Sequence, residues 1–310
     1  EKVQEGRLDL TAEPKIESET AATATIDAGA NLGHPVSVTA MNLAVDKAEA
    51  AGVGIVTVRN SHHFGAAGYY ARIAAGRGAF GMVASTARGV TVVPTGGTVP
   101  VLGTNPLAFA APAESNPSWV LDMATSTVAV GKVRVYGYQD KPLPEGWVSD
   151  GKGKPVRDGT AAYEMLVGSD TGGLTPIGGT RELSSHKGYG LGVLAQVLGG
   201  ALGGGAFAPV DKPRATEGVP ENIGHFFMAI SPQLFRPAGA FERHIDMVID
   251  TLHATPPADP AQPVLVAGDP EAAKRAERLK NGIPVPQMLA DQLRAMCERS
   301  GVAFVLEPRA

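Results

Sequence analysis

One cluster of glycines decides which nucleotide-binding architecture this chain cannot have. Gly76-Arg77-Gly78-Ala79-Phe80-Gly81 fits the G-x-G-x-x-G spacing that brings backbone against a pyrophosphate. The device works only when a strand delivers the glycines to the start of a helix, whose N-terminal dipole then meets the phosphates. Around Gly76 the order is reversed. Small residues over Ala66–Ala75 predict a helix closed by Gly76, and Phe80–Ser85 predicts a strand after it. The glycines therefore read as turn formers, and a Rossmann arrangement is excluded. Upstream, the β-branched run Gly54–Arg59 predicts a buried strand and Asn60–Phe64 a polar corner. Strand, corner, helix and strand succeed one another, which is an α/β pattern.

The rest of the chain keeps that mixture. Residues 1–34 read as irregular with one strand at Ala22–Ile26, and an apolar helical pattern runs from Pro35 to Ala51, where Gly52 stops it. Strands are expected at Leu107–Ala111, Trp119–Met123 and Lys132–Tyr136, followed by a polar loop over Gln139–Gly159. Gly188–Leu202 predicts a glycine-interrupted helix, apolar nearly all round and hence buried. A strand at His225–Ile230 and an amphipathic helix at Ala240–Leu252 come next. Beyond the Pro-rich linker Ala254–Pro263 the pattern gives a strand at Val264–Ala267 and a helix capped by Asp269 with Pro270 at its first position and Gly282 past its end. A helix over Pro286–Arg299 and a strand over Val302–Leu306 close the chain. Thirty-nine glycines and 24 prolines without a collagen period imply many tight turns.

Charge and cysteine content narrow the function classes. The net charge of −4 offers no basic field for nucleic acid or an anionic membrane. No apolar run is long enough for a transmembrane helix. The single cysteine, Cys297, excludes an internal disulfide and a Cys-rich metal cluster, and fits a cytoplasmic location.

Three constellations carry chemistry. His62 and His63 lie in the corner after a strand, where α/β proteins place ligands and where imidazole can exchange a proton near neutral pH; two hydrogen-bonded histidines beside a helix cap are the structural counterpart. Adjacent histidines diverge, which weakens a metal reading. Asp122 interrupts the apolar strand Trp119–Met123 and is followed by Thr125 and Ser126. A buried carboxylate needs a partner, and structural amides or a ligand would both serve. His186 and Lys187 open the helix that starts after Ser184 and Ser185. Cations there oppose the helix dipole by about 0.3–1 kcal/mol, which makes sense if an anion such as phosphate shares the site; a solvated lysine is the alternative. Gly103-Thr104-Asn105-Pro106 reads as a turn before a strand.

Together these segments resemble the type-2 malate/L-lactate dehydrogenase family, which also contains sulfolactate, ureidoglycolate and diketogulonate oxidoreductases and cyclic-imine reductases. The matching pieces are Arg59–Tyr70, Gly103–Pro106, Asp122–Ser126 and His186–Leu191, in order and at the right spacing. The resemblance implies a mixed α+β, non-Rossmann nicotinamide-binding fold with a largely antiparallel or mixed central sheet. It further implies a homodimer that uses NAD or NADP to interconvert small 2-oxo and 2-hydroxy acids. Residues 80–239 would then form the cofactor-binding domain, and 1–79 with 240–310 a flanking, dimerising one. His63 falls on the family's active-site histidine, and Asp122 would bind a cofactor hydroxyl or orient a catalytic group. Asp122, Met123, Ala124, Thr125, Ser126, His186, Lys187, Gly268, Asp269 and Pro270 would line the cofactor, with Thr104 and Asn105 at the substrate and no metal. Asp269 stands where the family usually has Glu. Arg59 or Arg88 are candidates to hold the substrate carboxylate. The family's opening helical segment, with its Asp-Ser-His-Gly motif and arginine, is not found from Glu1 onward, so a chain lacking its first catalytic segment is expected. Reduction of piperideine- or pyrroline-2-carboxylate, nucleotide binding without turnover, and metal-assisted hydrolysis through His62, His63 and His186 are the rival expectations.

Overall fold

The computed structural model describes residues 2–210 and 218–306. Its strands are β1 (Lys15–Glu19), β2 (Thr23–Asp27), β3 (Val53–Ser61), β4 (Phe80–Ser85), β5 (Leu107–Ala111), β6 (Trp119–Met123), β7 (Val148–Ser149), β8 (Gly173–Leu174) and β9 (Ile223–Ile230). Seven of them form one sheet in the order β1-β2-β3-β9-β4-β5-β6, antiparallel except for the parallel pair β2–β3. The fold is mixed α/β with a largely antiparallel sheet, as expected. The sheet takes strands from both sides of residue 79, so segments 1–79 and 80–239 share one core.

β9 is central and apolar on both faces. Its alternation places Phe227 with Val56, Val83 and the helices α1 (Gly33–Ala51) and α2 (Ala67–Gly76), and Phe226 with Leu107 and Ala195 on the opposite face. Met41 and Phe227 are fully buried, each worth about 1.5–3 kcal/mol of transfer free energy. The opposite face is covered by α5 (His186–Ala195), continuous with a π-helical turn over Gln196–Leu202. A Cβ on Gly224 would lie 1.9 Å from the Gly199 carbonyl oxygen, so this turn reaches β9 only because the strand carries no side chain there. Part of the glycine excess is thus close packing and not turns.

A second core gathers Val92, Leu102, Val128, Val133, Leu143, Val148 and Leu174 around the β7–β8 ribbon, under α3 (Val130–Tyr138) and α4 (Gly159–Gly168). Here the sequence expectations need correction. Lys132–Tyr136 is not a strand but part of α3: Val130, Val133 and Gly137 share a face at helical spacing, and Gly137 crosses α4 against Gly159. The polar loop contains β7, and α4 follows it. The helix expected to be buried all round turns most of its glycines, Ala195, Leu191 and Leu198 inward and leaves Val193, Leu194, Val197 and Leu202 between 37% and 62% exposed. Val264–Ala267 makes one bond to the sheet, from the Val120 N–H to the Ala267 carbonyl (3.2 Å), too few for a strand. Val302–Leu306 is irregular, and β1 forms within the stretch read as irregular. After α6 (Ala240–His253), the last helices α7 (Asp269–Asn281) and α8 (Gln287–Ser300) are present, yet none of their residues is buried.

Candidate active site

Sheet register brings the sequence motifs to one end of the molecule. Val58, His225 and Ser85 are paired across β3, β9 and β4, and Ala84, Leu107 and Met123 across β4, β5 and β6. The segments after β3, β4 and β6 and before β5 and β9 therefore open on the same edge. These segments hold His63, Arg88, Thr104, Asn105, Asp122–Ser126 and Glu221.

The histidine corner gives the two imidazoles different environments. Asn60 adopts a left-handed φ of 52°, and its N–H donates to Asn222 Oδ1 (2.6 Å) while its side chain donates to Asp27 (3.0 Å). This turns His62 inward, where its ring nitrogens meet Glu221 Oε2 (3.1 Å) and the Arg7 carbonyl (2.8 Å). His63 is exposed. Its Nδ1 accepts the Gly65 N–H at 3.2 Å, which places the proton of the neutral ring on Nε2. Partial burial and the nearby charges of His34 and Lys2 push the His63 pKa below its ordinary value, against an opposing pull from Glu221. The corner is closed from below by Phe64, whose ring stacks on His225 (4.5 Å) and whose carbonyl accepts from the Tyr70 hydroxyl.

Glu221 is the electrostatic hub behind His62. Its carboxylate receives Lys2 Nζ (2.7 Å), Arg88 (3.4 Å) and Arg7 (3.6 Å) as well as His62. Burial alone would raise its pKa, but these partners outweigh burial and hold it at about 2. The two arginines named as carboxylate holders are thus placed: Arg88 borders this hub, whereas Arg59 is gripped by Glu17 and by Asp27 at 3.1 Å.

Asp122 finds a structural partner. Its Oδ2 accepts the Gly68 N–H (2.8 Å) in the first turn of α2, a helix whose own N-cap, Ala66, supplies no side chain bond. A Cβ on Gly68 would lie 2.8 Å from Asp122 Cβ, so the approach requires glycine. Asp122 is exposed and not buried as its apolar strand suggested, because it lies near the end of the edge strand β6; partial desolvation of its carboxyl still pushes its pKa up, the Gly68 bond opposes that, and Glu271 adds to it. The carboxylate thereby ties β6 to the helix that follows the His63 corner.

The remaining motif residues form a braced wall. Asn105 is fully buried: its Oδ1 accepts from Ala87 N–H (3.1 Å) and its Nδ2 donates to the Gly192 carbonyl of α5 (3.0 Å). The Thr125 hydroxyl donates to the Thr104 carbonyl (3.1 Å) and the Ser126 hydroxyl to the Val128 carbonyl (2.9 Å), so both point into the protein. Met123 and Ala124 are half-buried. Ile177, on which Gly188 packs, donates its N–H to the Thr125 carbonyl (2.9 Å) and so draws the start of α5 to this loop. His186 and Lys187 are exposed there, and among the described residues Lys187 has no carboxylate partner. Gly268, at φ 102°, rests on the Val120 backbone, one turn of strand from Asp122. The helix cap is Gly268 and not Asp269, because the Asp269 carboxylate is taken up by His253 (2.7 Å) and the Val266 N–H (2.7 Å), which hold its pKa down against partial burial. Pro270 lies in the first turn, one place later than the first position expected, because the helix already begins at Asp269. His34, Glu221 and His225 escaped the sequence reading. Of these His225 left a signal, a polar residue opening an apolar strand, the same signal that marked Asp122.

The comparisons with known proteins agree with this arrangement. A model of the malate/L-lactate dehydrogenase family matches residues 1–294. A malate dehydrogenase of Pyrococcus abyssi is 38% identical over 298 residues, covering 96% of this chain and 80% of the relative. An L-sulfolactate dehydrogenase of Methanocaldococcus jannaschii is 33% identical over 297 residues, 96% of this chain and 81% of the relative. The crystal structure of malate dehydrogenase from Entamoeba histolytica superimposes with a TM-score of 0.92 at 31% identity, over 98% of this chain and 84% of that one. A match along nearly the whole chain, joined to motifs gathered at one sheet edge, makes this protein a member of the malate/L-lactate dehydrogenase family and an oxidoreductase.

Proposed function

We propose that this chain interconverts a small 2-oxo acid and its 2-hydroxy acid, with NAD or NADP as hydride carrier and His63 as the group that handles the substrate oxygen. The observation that carries the reading is the contrast in the histidine corner. His62 is buried with both nitrogens taken up, while His63 is exposed with Nδ1 occupied and Nε2 available. In that state Nε2–H donates a hydrogen bond to an oxo group and stabilises charge developing on its oxygen. Transfer of a full proton requires solvent to protonate Nδ1, which opens the long Gly65 bond because imidazolium has no lone pair to accept it; Nε2 then gives its proton to the substrate oxygen and the ring returns to neutral. Partial burial and the neighbouring His34 and Lys2 charges favour the neutral ring.

The dinucleotide fits the residues present. Hydride is what the bound nicotinamide supplies. Lys187 and the first turn of α5 would hold phosphate, Asp122–Ser126 and Gly268–Pro270 would flank the cofactor through backbone, and Asn105 and Thr104 would fix the wall beside the substrate without offering a free side chain from Asn105. Arg88 would meet the substrate carboxylate at the rim of the Glu221 hub. We place the enzyme in the cytoplasm as a homodimer. Support for two copies is that α7 and α8 carry Leu279, Met288 and Met296 exposed, with Ile283 exposed between them, and that neither helix has a buried residue; light scattering should return twice the mass of one chain, and a monomer overturns this.

The test is oxidation of NADH and NADPH with oxaloacetate, pyruvate, sulfopyruvate and cyclic imines, in wild type and His63→Ala. Turnover with a 2-oxo acid, reduced at least about 100-fold in the variant, supports the reading. Turnover confined to imines, or cofactor binding without turnover, overturns it.

A further inference from the structure

His225 is completely buried in the middle of the sheet between apolar neighbours. A neutral imidazole in such a place is tolerated only if both nitrogens are bonded. Both are. Nε2 lies 3.0 Å from Ser61 Oγ and 3.2 Å from the His62 carbonyl, and Nδ1 lies 2.8 Å from Ser85 Oγ. The His62 carbonyl only accepts, so its bond puts the ring proton on Nε2; Nδ1 then takes the Ser85 hydroxyl proton, for which the Thr86 carbonyl at 2.8 Å is the competing acceptor. The His62 carbonyl belongs to the peptide that enters His63. The residue leaving His63, Phe64, lays its ring on the His225 ring at 4.5 Å and an interplanar angle of 4°. His225 therefore grips the chain on both sides of His63 without touching its imidazole.

We propose that His225 is the positioning residue for His63, fixing the preceding peptide through Nε2–H and the following side chain through its ring face. The inference rests on the reading of His63 as the active-site histidine. Burial drives the His225 pKa down to about 3, with His63 and His34 adding to the effect and the His62 bond opposing it, so the grip holds throughout the working pH range. Displacements of about 1 Å at a catalytic group are enough to cost about 100-fold in rate. Other contacts share parts of this grip without spanning it: Ser61 Oγ reaches the His62 carbonyl at 3.4 Å, Tyr70 bonds the Phe64 carbonyl and stacks on the Phe64 ring at 5.0 Å, and Gly65 holds His63 Nδ1.

Two amide variants separate the nitrogens. The amide of His225→Gln reaches the Nε2 position and can still donate to the His62 carbonyl. The amide of His225→Asn reaches only the Nδ1 position and keeps Ser85 alone. With 2-oxo acid and cofactor, His225→Asn should lower kcat about 10- to 100-fold with cofactor Kd within about 2-fold, and should move the histidine limb of the kcat/KM pH profile toward the ordinary imidazole value. His225→Gln should stay within about 5-fold of wild type and keep that limb in place. Equal losses in the two variants, or an unmoved pH profile in His225→Asn, would mean a purely structural histidine. A measurement on the wild type stands if the variants do not fold: nitrogen NMR of the imidazoles should show His225 neutral, protonated on Nε2, and unchanged from pH 5 to 9. A proton on Nδ1 overturns the assignment. His63→Ala decides which idea fails: retained turnover there refutes the His63 reading, while lost turnover there with normal His225→Asn refutes only the present inference.

Discussion

Replacing Asp122 tests whether its carboxylate acts as an anchor or as a reacting group. In the structure it supplies the missing cap of α2 through the 2.8 Å bond from Gly68 N–H. Truncation in Asp122→Ala removes that cap, worth about 1 kcal/mol; the charge itself adds no net stabilisation, because the folded-state pKa is raised. The expected loss is about 1 kcal/mol, or a Tm lower by about 1–2 °C in a chain of this size. Asp122→Asn keeps an oxygen that accepts from Gly68 and removes the charge. Because burial raises the Asp122 pKa in the folded state, the ionised carboxylate lowers stability as pH rises from about 4 through that pKa. The asparagine variant should therefore match or slightly exceed wild-type Tm at pH 7. Scanning calorimetry and steady-state kinetics read both quantities. Under the anchor reading Asp122→Ala loses stability and some catalytic rate through a loosened His63 corner, and Asp122→Asn loses neither. If Asp122→Asn turned over about 100-fold more slowly at unchanged Tm, the anchor would be refuted and the charge assigned to the chemistry.

Two further outcomes follow from the same geometry. Lys187→Ala should raise cofactor Kd by about 5- to 30-fold, the effect of losing about 1–2 kcal/mol of phosphate contact, with the KM of the oxo acid unchanged; equal weakening of both would contradict its placement. Glu221→Gln should cost about 3 kcal/mol at pH 7, because the folded-state carboxyl is held at about 2 against an unfolded value of 4.5 and that stabilisation disappears only as pH falls from the higher value toward the lower. Its unfolding midpoint should consequently depend less on pH between about 5 and 2 than the wild-type midpoint does; parallel curves would refute the hub.

How far the sequence speaks depends on whether a signal is local. The strands β2 to β6 and β9 and helices α1, α2, α6, α7 and α8 follow from periodicity and from glycine or proline at their ends. They were legible because each buries a regular apolar face or is capped by residues beside it. Lys132–Tyr136 was not: its valines fit a strand, and the deciding contact is a glycine crossing with a helix more than twenty residues later. His63, Asp122 and Lys187 stood out because a polar residue interrupts a pattern at an element's end. What no spacing could give was the division of labour between them. His62 and His63 are neighbours of one type, and only Glu221 and Arg7, remote in sequence, make one structural and leave the other exposed.

The placement of these groups also explains why a site can rest on so many small residues. Asp122 reaches α2 past Gly68, the π-helical turn reaches β9 past Gly224, and α5 begins on Ile177 past Gly188. Each contact joins backbone to backbone or to one polar atom, and backbone moves less than a long side chain. A donor such as His63 Nε2 can be exposed and still be held in place only if the peptide under it is rigid. In this chain the rigidity comes from the imidazole of His225, bonded at both nitrogens and stacked on Phe64, in the most deeply buried strand of the sheet. Mobility added at any of these glycines should therefore appear first as a loss of catalytic rate, ahead of any loss of fold.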